Sequence, residues 1–128
     1  MFRFPIFFFA AVFLILVGCQ ENNSSGPISS NPIPLTAPVT VSINDNYFGP
    51  ANITVPVGAT ITWQDYGYNN HTVTNGTPGD TNAGNLFDSG TLSYGRSYHT
   101  TFSRAGTVKY FCRFHGTMGM VGTVTVGP

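Results

Sequence analysis

Charge is scarce in this chain. Only 8% of its 128 residues are Asp, Glu, Lys or Arg, and the formal net charge is zero. Without a basic face it lacks the electrostatic footprint of a nucleic-acid binder, and it cannot steer a strongly charged partner over long range. Cysteine is equally sparse, at two residues, Cys19 and Cys112. That excludes a dense disulfide framework. Tryptophan occurs once and histidine three times. After residue 38 no stretch holds a helical period over three turns, so an α-helical core is excluded as well.

The one long apolar run lies at the very start, MFRFPIFFFAAVFLILVGCQ. A single positive charge, Arg3, precedes an apolar stretch from Pro5 to Val17 that small residues and a cysteine close, the pattern of a secretory signal. The tetrad Leu16-Val17-Gly18-Cys19 resembles the bacterial lipobox, which implies cleavage before Cys19 and a diacylglycerol on its thiol. Residues 1–18 are then a lipoprotein signal peptide, and Cys112 has no intrachain partner. A lone thiol in an oxidising compartment must be buried or bound. Residues 19–38, rich in Ser, Asn and Pro, bury too little apolar surface to fold and read as a disordered tether. The exported chain keeps Lys109, Arg96, Arg104 and Arg113 against Glu21, Asp45, Asp65, Asp80 and Asp88. Docking by so neutral a domain is expected to depend weakly on salt.

From Val39 the texture changes. VTVSI (39–43), NITV (52–55), ATITW (59–63), SYHTTF (97–102), GTVKYFC (106–112) and VGTVTV (121–126) alternate apolar and polar residues, the period of half-buried strands. Gly and Pro separate them. The expectation is an all-β, two-sheet antiparallel sandwich over 39–128. Val41, Ile43, Ile53, Val55, Ile61, Trp63, Phe102, Val108, Tyr110, Val124 and Val126 are its expected core. Residues 64–90 form the longest irregular piece, and a long loop in a compact domain is often functional.

Chemistry concentrates in YFCRFHGTMGMVGTVTV (110–126), where Cys112 and His115 stand three apart with Met118 and Met120 close behind. Taken singly, Cys112 reads as a small buried hydrophobe, His71 as a loop residue and the methionines as core filler. A sandwich clusters its loops at its ends, so His71 can meet Cys112 and His115 there. Two imidazoles, a thiolate and a weak axial thioether form the blue-copper set, which suits both Cu(I) and Cu(II) and so changes little on electron transfer.

These segments resemble the cupredoxins, in particular plastocyanin, pseudoazurin and amicyanin. ITWQDYGYNNHTVT is similar to the family's run into its first His ligand. FDSGTLSYGRSYHTTFSRAGTVKYFC is similar to its run into the Cys, and Cys112-Arg113-Phe114-His115 with Met120 and Gly122 to its closing loop. The resemblance spans 39–128 and implies a Greek-key, barrel-like sandwich holding one copper ion. His71, Cys112 and His115 would be equatorial ligands and Met120 the axial one. Met118 is the alternative, but Met120 lies two positions before the glycine that opens the last strand, as in the family. Two positions depart from the pattern: Thr72 stands where Asn is common, and Phe114 where Pro is frequent. Phe114, Gly116 and Met118 would form an apolar patch around His115 where redox partners dock. His99 carries no motif.

The resulting expectation is a monomeric single-electron carrier, not an enzyme, anchored through Cys19 to the lipid bilayer on the periplasmic side of a bacterial membrane. Gln20 favours the outer membrane or cell surface over the inner membrane. Copper storage or delivery without redox turnover is the alternative. A copper oxidase or nitrite reductase needs further His-rich centres, and an adhesive sandwich leaves the Cys-His-Met spacing unexplained.

Overall fold

The computed structural model describes residues 38–128. The expected signal peptide, the expected lipidation site Cys19 and the expected tether up to residue 37 lie outside the described residues. Eight strands follow in order: β1 (Val39–Asn44), β2 (Tyr47–Gly49), β3 (Asn52–Pro56), β4 (Thr60–Asp65), β5 (Thr74–Asn75), β6 (Ser97–Thr101), β7 (Gly106–Phe111) and β8 (Val121–Gly127). They form two four-stranded sheets, β2-β1-β4-β6 and β3-β8-β7-β5. Apolar residues at every second position face inward from both, as in Ile61 and Trp63 on β4 and Val124 and Val126 on β8.

The sheets are mixed, which corrects the antiparallel expectation. β1 pairs with β4 in parallel, as does β3 with β8; the other pairs are antiparallel. Alternation reports which side of a strand is buried and is blind to the direction of its neighbour. Direction is set by connections. Here the chain leaves the first sheet after β2, lays β3 in the second, and returns with β4 on the far side of β1.

Of the expected core, nine residues are buried, whereas Ile53 and Val108 are partly buried and packed against it. Phe48, Ala59, Val73, Phe87, Leu92, Cys112 and Met120 join them. Trp63 is central: its ring centroid lies 5.5 Å from that of Tyr110, 5.9 Å from Phe87 and 6.1 Å from Tyr98. The Tyr110 hydroxyl donates to the Ala51 carbonyl at 2.9 Å. Burial pushes its pKa up to about 12, because the charged phenolate is disfavoured away from water.

The long segment after β4 is less irregular than its composition suggests. Val73 and Phe87 enter the core. Single bridges His71–Leu92 and Thr74–Asp88 tie its two limbs together. The short β5 pairs with the end of β7, Thr74 opposite Phe111. That pairing places His71 and Thr72 beside Cys112 and Arg113, which are about forty positions away in the chain.

Candidate metal centre

Cys112 follows directly on β7, and the loop it opens closes tightly. The His115 and Gly116 N–H groups both donate to the Cys112 carbonyl, at 3.3 and 2.7 Å, and a single 3-10 turn spans Gly116–Met118. Gly119 ends that turn at φ 96°, a left-handed conformation in which a side chain is strained. The Cys112 N–H donates to the Met120 carbonyl at 3.1 Å, extending the β7–β8 ladder by one rung. Met120 therefore sits across from Cys112 and is fully buried, whereas Met118 lies on the outside of the turn and is 67% exposed.

Cys112 is a free, buried thiol. Its Sγ lies 3.5 Å from Nδ1 of His115 and accepts the Thr72 N–H at 3.4 Å. The His71 and His115 rings stand 5.2 Å apart between centroids. His71 is completely buried, and its backbone exchanges hydrogen bonds with Leu92 at 2.9 and 2.8 Å. His115 is half-buried. The sequence-predicted donors are thus brought to one end of the sandwich. His99, by contrast, is exposed on β6.

The donors are adjacent without forming a closed cage. Among the described residues no three His, Cys, Asp or Glu side chains converge on a common point for an ion. His71 Nδ1 is engaged by Oδ2 of the buried Asp65 at 3.1 Å, while its Nε2 is buried with no hydrogen-bond partner. The residues nevertheless fit copper by their chemistry. A buried thiol, a second imidazole beside it, a buried thioether and an unpartnered buried imidazole nitrogen make a soft and borderline donor set.

The scaffold behind the donors is a connected polar network. The Arg113 N–H donates to Thr72 Oγ1 at 2.9 Å, Thr72 Oγ1 lies 3.0 Å from Thr74 Oγ1, and Thr74 donates to Asp88 Oδ1 at 3.3 Å. Thr74 spends its single proton on Asp88, so Thr72 donates to Thr74. The Arg113 guanidinium closes the ring on Asp88 Oδ2, from Nε at 3.0 Å and Nη2 at 2.7 Å. Burial by itself would raise the Asp88 carboxyl. The Gly90 N–H and the Arg113 guanidinium outweigh burial and hold it below the ordinary value. The hydroxyl of Thr72 thus bridges the two donor loops.

On the other side of the site, Asp45 Oδ1 accepts the N–H groups of Asn69 and Tyr68, at 3.0 and 2.6 Å. The bond from Asn69 leads the effects that hold its carboxyl below the ordinary value. Those two bonds anchor the turn that leads into His71. Gly67 lies in that turn, where a Cβ would come within 2.5 Å of the His71 ring.

Around His115 the surface is apolar in part. Phe114 is 51% exposed, with its ring centroid 6.3 Å from that of His115, and Met118 and Val121 are exposed as well. Gly116, expected on the same surface, is buried against Phe111 and Pro78, where no side chain would fit. Reading the sequence for functional residues passed over Asp65, Thr74 and Asp88. Only Asp65 left a trace, as an ionisable residue at the inward-facing end of an alternating strand.

A family model described as copper-binding proteins of the plastocyanin/azurin family matches residues 35–127. Among solved structures, the chain is similar to a purple cupredoxin from Nitrosopumilus maritimus, at 31% identity and a TM-score of 0.61, covering 70% of this chain and 99% of that one. It is similar to a mutant of amicyanin in its reduced state, at 28% identity and a TM-score of 0.59, covering 71% and 83% of the two chains. A copper-containing nitrite reductase from Thermus scotoductus matches at 25% identity and a TM-score of 0.60, with 71% of this chain covered but only 22% of that one. No protein of curated function matches.

Proposed function

The chain belongs to the plastocyanin/azurin family of copper-binding proteins, and from that premise we propose that it is a mononuclear type 1 copper protein passing single electrons between protein partners. The observation that carries this reading is the buried Cys112 Sγ, flanked by His115 Nδ1 and the Thr72 N–H. His71, Cys112, His115 and Met120 are the residues that would hold the ion, Met120 through a weaker thioether bond. Bound copper supplies a one-electron Cu(II)/Cu(I) couple.

The chain's own residues do the rest. The Thr72–Thr74–Asp88–Arg113 network holds the two donor loops in one arrangement, which limits the rearrangement that accompanies a change of charge. The burial of His71, Cys112 and Met120 keeps water from the donors. His115, the half-exposed donor, sits beside Phe114 and Met118, an apolar rim suited to brief contact with a redox partner. A carrier rather than an enzyme is favoured because His99 alone remains outside the ligand set, on the far surface of β6. Export, lipid attachment at Cys19, a tether over 19–38 and a monomeric domain over 39–128 at the outer membrane or cell surface complete the proposal.

The test is addition of Cu(II) to the full chain. The expected result is uptake of one equivalent, an intense visible band and a reversible one-electron wave. Tight uptake with no reversible wave would favour copper storage or delivery. No uptake by the folded protein would sink both readings. Within the same experiment, Met120→Leu is expected to move both the band and the potential, since it removes the axial thioether at nearly constant volume. Met118→Leu, on the exposed turn, is expected to leave both where they are. The reverse pattern would make Met118 the axial ligand.

A further inference from the structure

Arg113 follows Cys112 directly, and its side chain is held in a slot made by the segment after β5. Nε and Nη2 both reach Asp88 Oδ2, at 3.0 and 2.7 Å, and Nη2 also donates to the Ala83 carbonyl at 3.3 Å. Gly84 borders the slot, where a Cβ would lie 2.8 Å from Nη2 and 3.0 Å from Asp88 Oδ2. The other oxygen of the carboxylate is engaged too: Oδ1 accepts from Thr74 at 3.3 Å and from the Gly90 N–H at 2.9 Å. Among the described residues this is the one ion pair made by a Lys or Arg. Both side chains keep access to water, so the pair contributes little to stability. Its position supplies a better reason for so many fixed contacts. The cation is one residue from the thiol donor, and the carboxylate joins, through Thr74, the hydroxyls behind the site.

We propose that Arg113 and Asp88 form a matched charge pair that sets the reduction potential of the copper centre, Arg113 favouring Cu(I) and Asp88 favouring Cu(II). The inference rests on the type 1 reading above. A nearby cation opposes the extra unit of charge on Cu(II) and raises the potential, and a carboxylate does the reverse. Held 2.7 Å apart, the two charges largely cancel at the metal. Asp45, a carboxylate near both imidazoles, bonds backbone N–H groups instead of a cation. Its pull towards Cu(II) stands, and the Arg113 pairing keeps Asp88 from adding to it. Which partners a one-electron carrier can serve depends on its potential, so the pair selects them by driving force. Arg113→Gln leaves the Asp88 charge uncancelled, and Asp88→Asn leaves that of Arg113. Asparagine keeps an oxygen for Thr74 and the Gly90 N–H. The bond from Arg113 to Thr72 is made by the backbone N–H and survives either change.

The test takes the wild-type full chain, Arg113→Gln, Asp88→Asn, the double variant and Arg113→Lys. Voltammetry of the copper-loaded proteins is expected to show the preference for Cu(II) over Cu(I) about threefold higher in Arg113→Gln and about threefold lower in Asp88→Asn. For one electron that is about 28 mV, downwards in the first and upwards in the second. The double variant is expected to return to the wild-type potential. Arg113→Lys, which keeps the charge but not the planar fork, is expected to stay near it. Carbon-13 NMR of the metal-free proteins is expected to show the Asp88 carboxyl titrating at higher pH in Arg113→Gln, because the carboxylate has lost its cation. Shifts of one sign in both single variants, or an Arg113→Lys potential that follows Arg113→Gln, mean that the loop has merely loosened. Either result overturns the proposal, as do unchanged potentials or an unmoved Asp88 titration, and all leave the electron-transfer reading standing. A wild-type chain that takes up no copper overturns both. The two Arg113 variants decide the matter even if Asp88→Asn does not fold.

Discussion

Replacing Cys112 by serine is expected to abolish the intense visible band of the copper-loaded protein entirely while leaving the domain folded. The band of a copper–thiolate centre is a transfer of charge from sulfur to metal, and a serine hydroxyl is neither a thiolate at neutral pH nor a soft donor. The imidazoles of His71 and His115 remain, so Cu(II) can still bind, but more weakly than by the roughly hundredfold that loss of a supporting group around a metal ligand can cost. The fold should survive because serine is nearly isosteric. Among the described residues, the hydrogen bonds of Sγ weakened by the change are those with the Thr72 N–H at 3.4 Å and His115 Nδ1 at 3.5 Å, a cost of about 1 kcal/mol. Absorption spectroscopy beside a thermal melt separates the outcomes. A folded variant that keeps the band would remove Cys112 from the ligand set. A variant that loses band and fold together would make the thiol's burial, rather than its chemistry, the reason for its place.

The second large effect concerns Gly122, the second residue of β8, two positions after Met120. Its φ is not positive, so conformation does not demand glycine there. Space does. A Cβ at this position would overlap the Tyr110 ring and the Ala51 carbonyl oxygen. Neither can yield cheaply, because Ala51 O accepts both the Tyr110 hydroxyl and the Thr123 N–H, each at 2.9 Å. Gly122→Ala is therefore expected to cost about 3 kcal/mol and to lower the melting midpoint by roughly 15 °C. Gly127→Ala, with nothing within 4 Å of its Cβ and an ordinary φ, should change stability by less than about 0.5 kcal/mol. Equal melting points for the two variants would show that Tyr110 swings aside and that the close approach is dispensable. Tyr110 and Gly122 are also paired across β7 and β8. The same glycine that marks Met120 in the sequence thus lets the tyrosine pack beside the donor loop.

The strands could be read from the alternation of Val, Ile and Thr, since period two is imposed by the pleat itself and is written locally. Trp63 as a core residue was legible for the same reason. That Cys112 and His115 share one short loop was legible as well, and the resemblance to the cupredoxins singled out Met120 by its distance from Gly122. Other features depended on partners far apart in sequence. The parallel pairing of β1 with β4 follows from where the chain crosses between sheets, which alternation does not encode. The core role of Val73 and Phe87 was hidden in a segment whose Asn and Gly content suggested only a loop.

The function of the Thr72 hydroxyl, bridging to the Arg113 N–H, exists only because β5 pairs with β7. Composition and local spacing thus sufficed for an all-β domain. Which methionine is buried, which carboxylate reaches His71, and that Gly116 lies inside the loop were decided by tertiary contact. Burial and hydrogen-bond pairing are properties of the assembled neighbourhood and of no single stretch of chain.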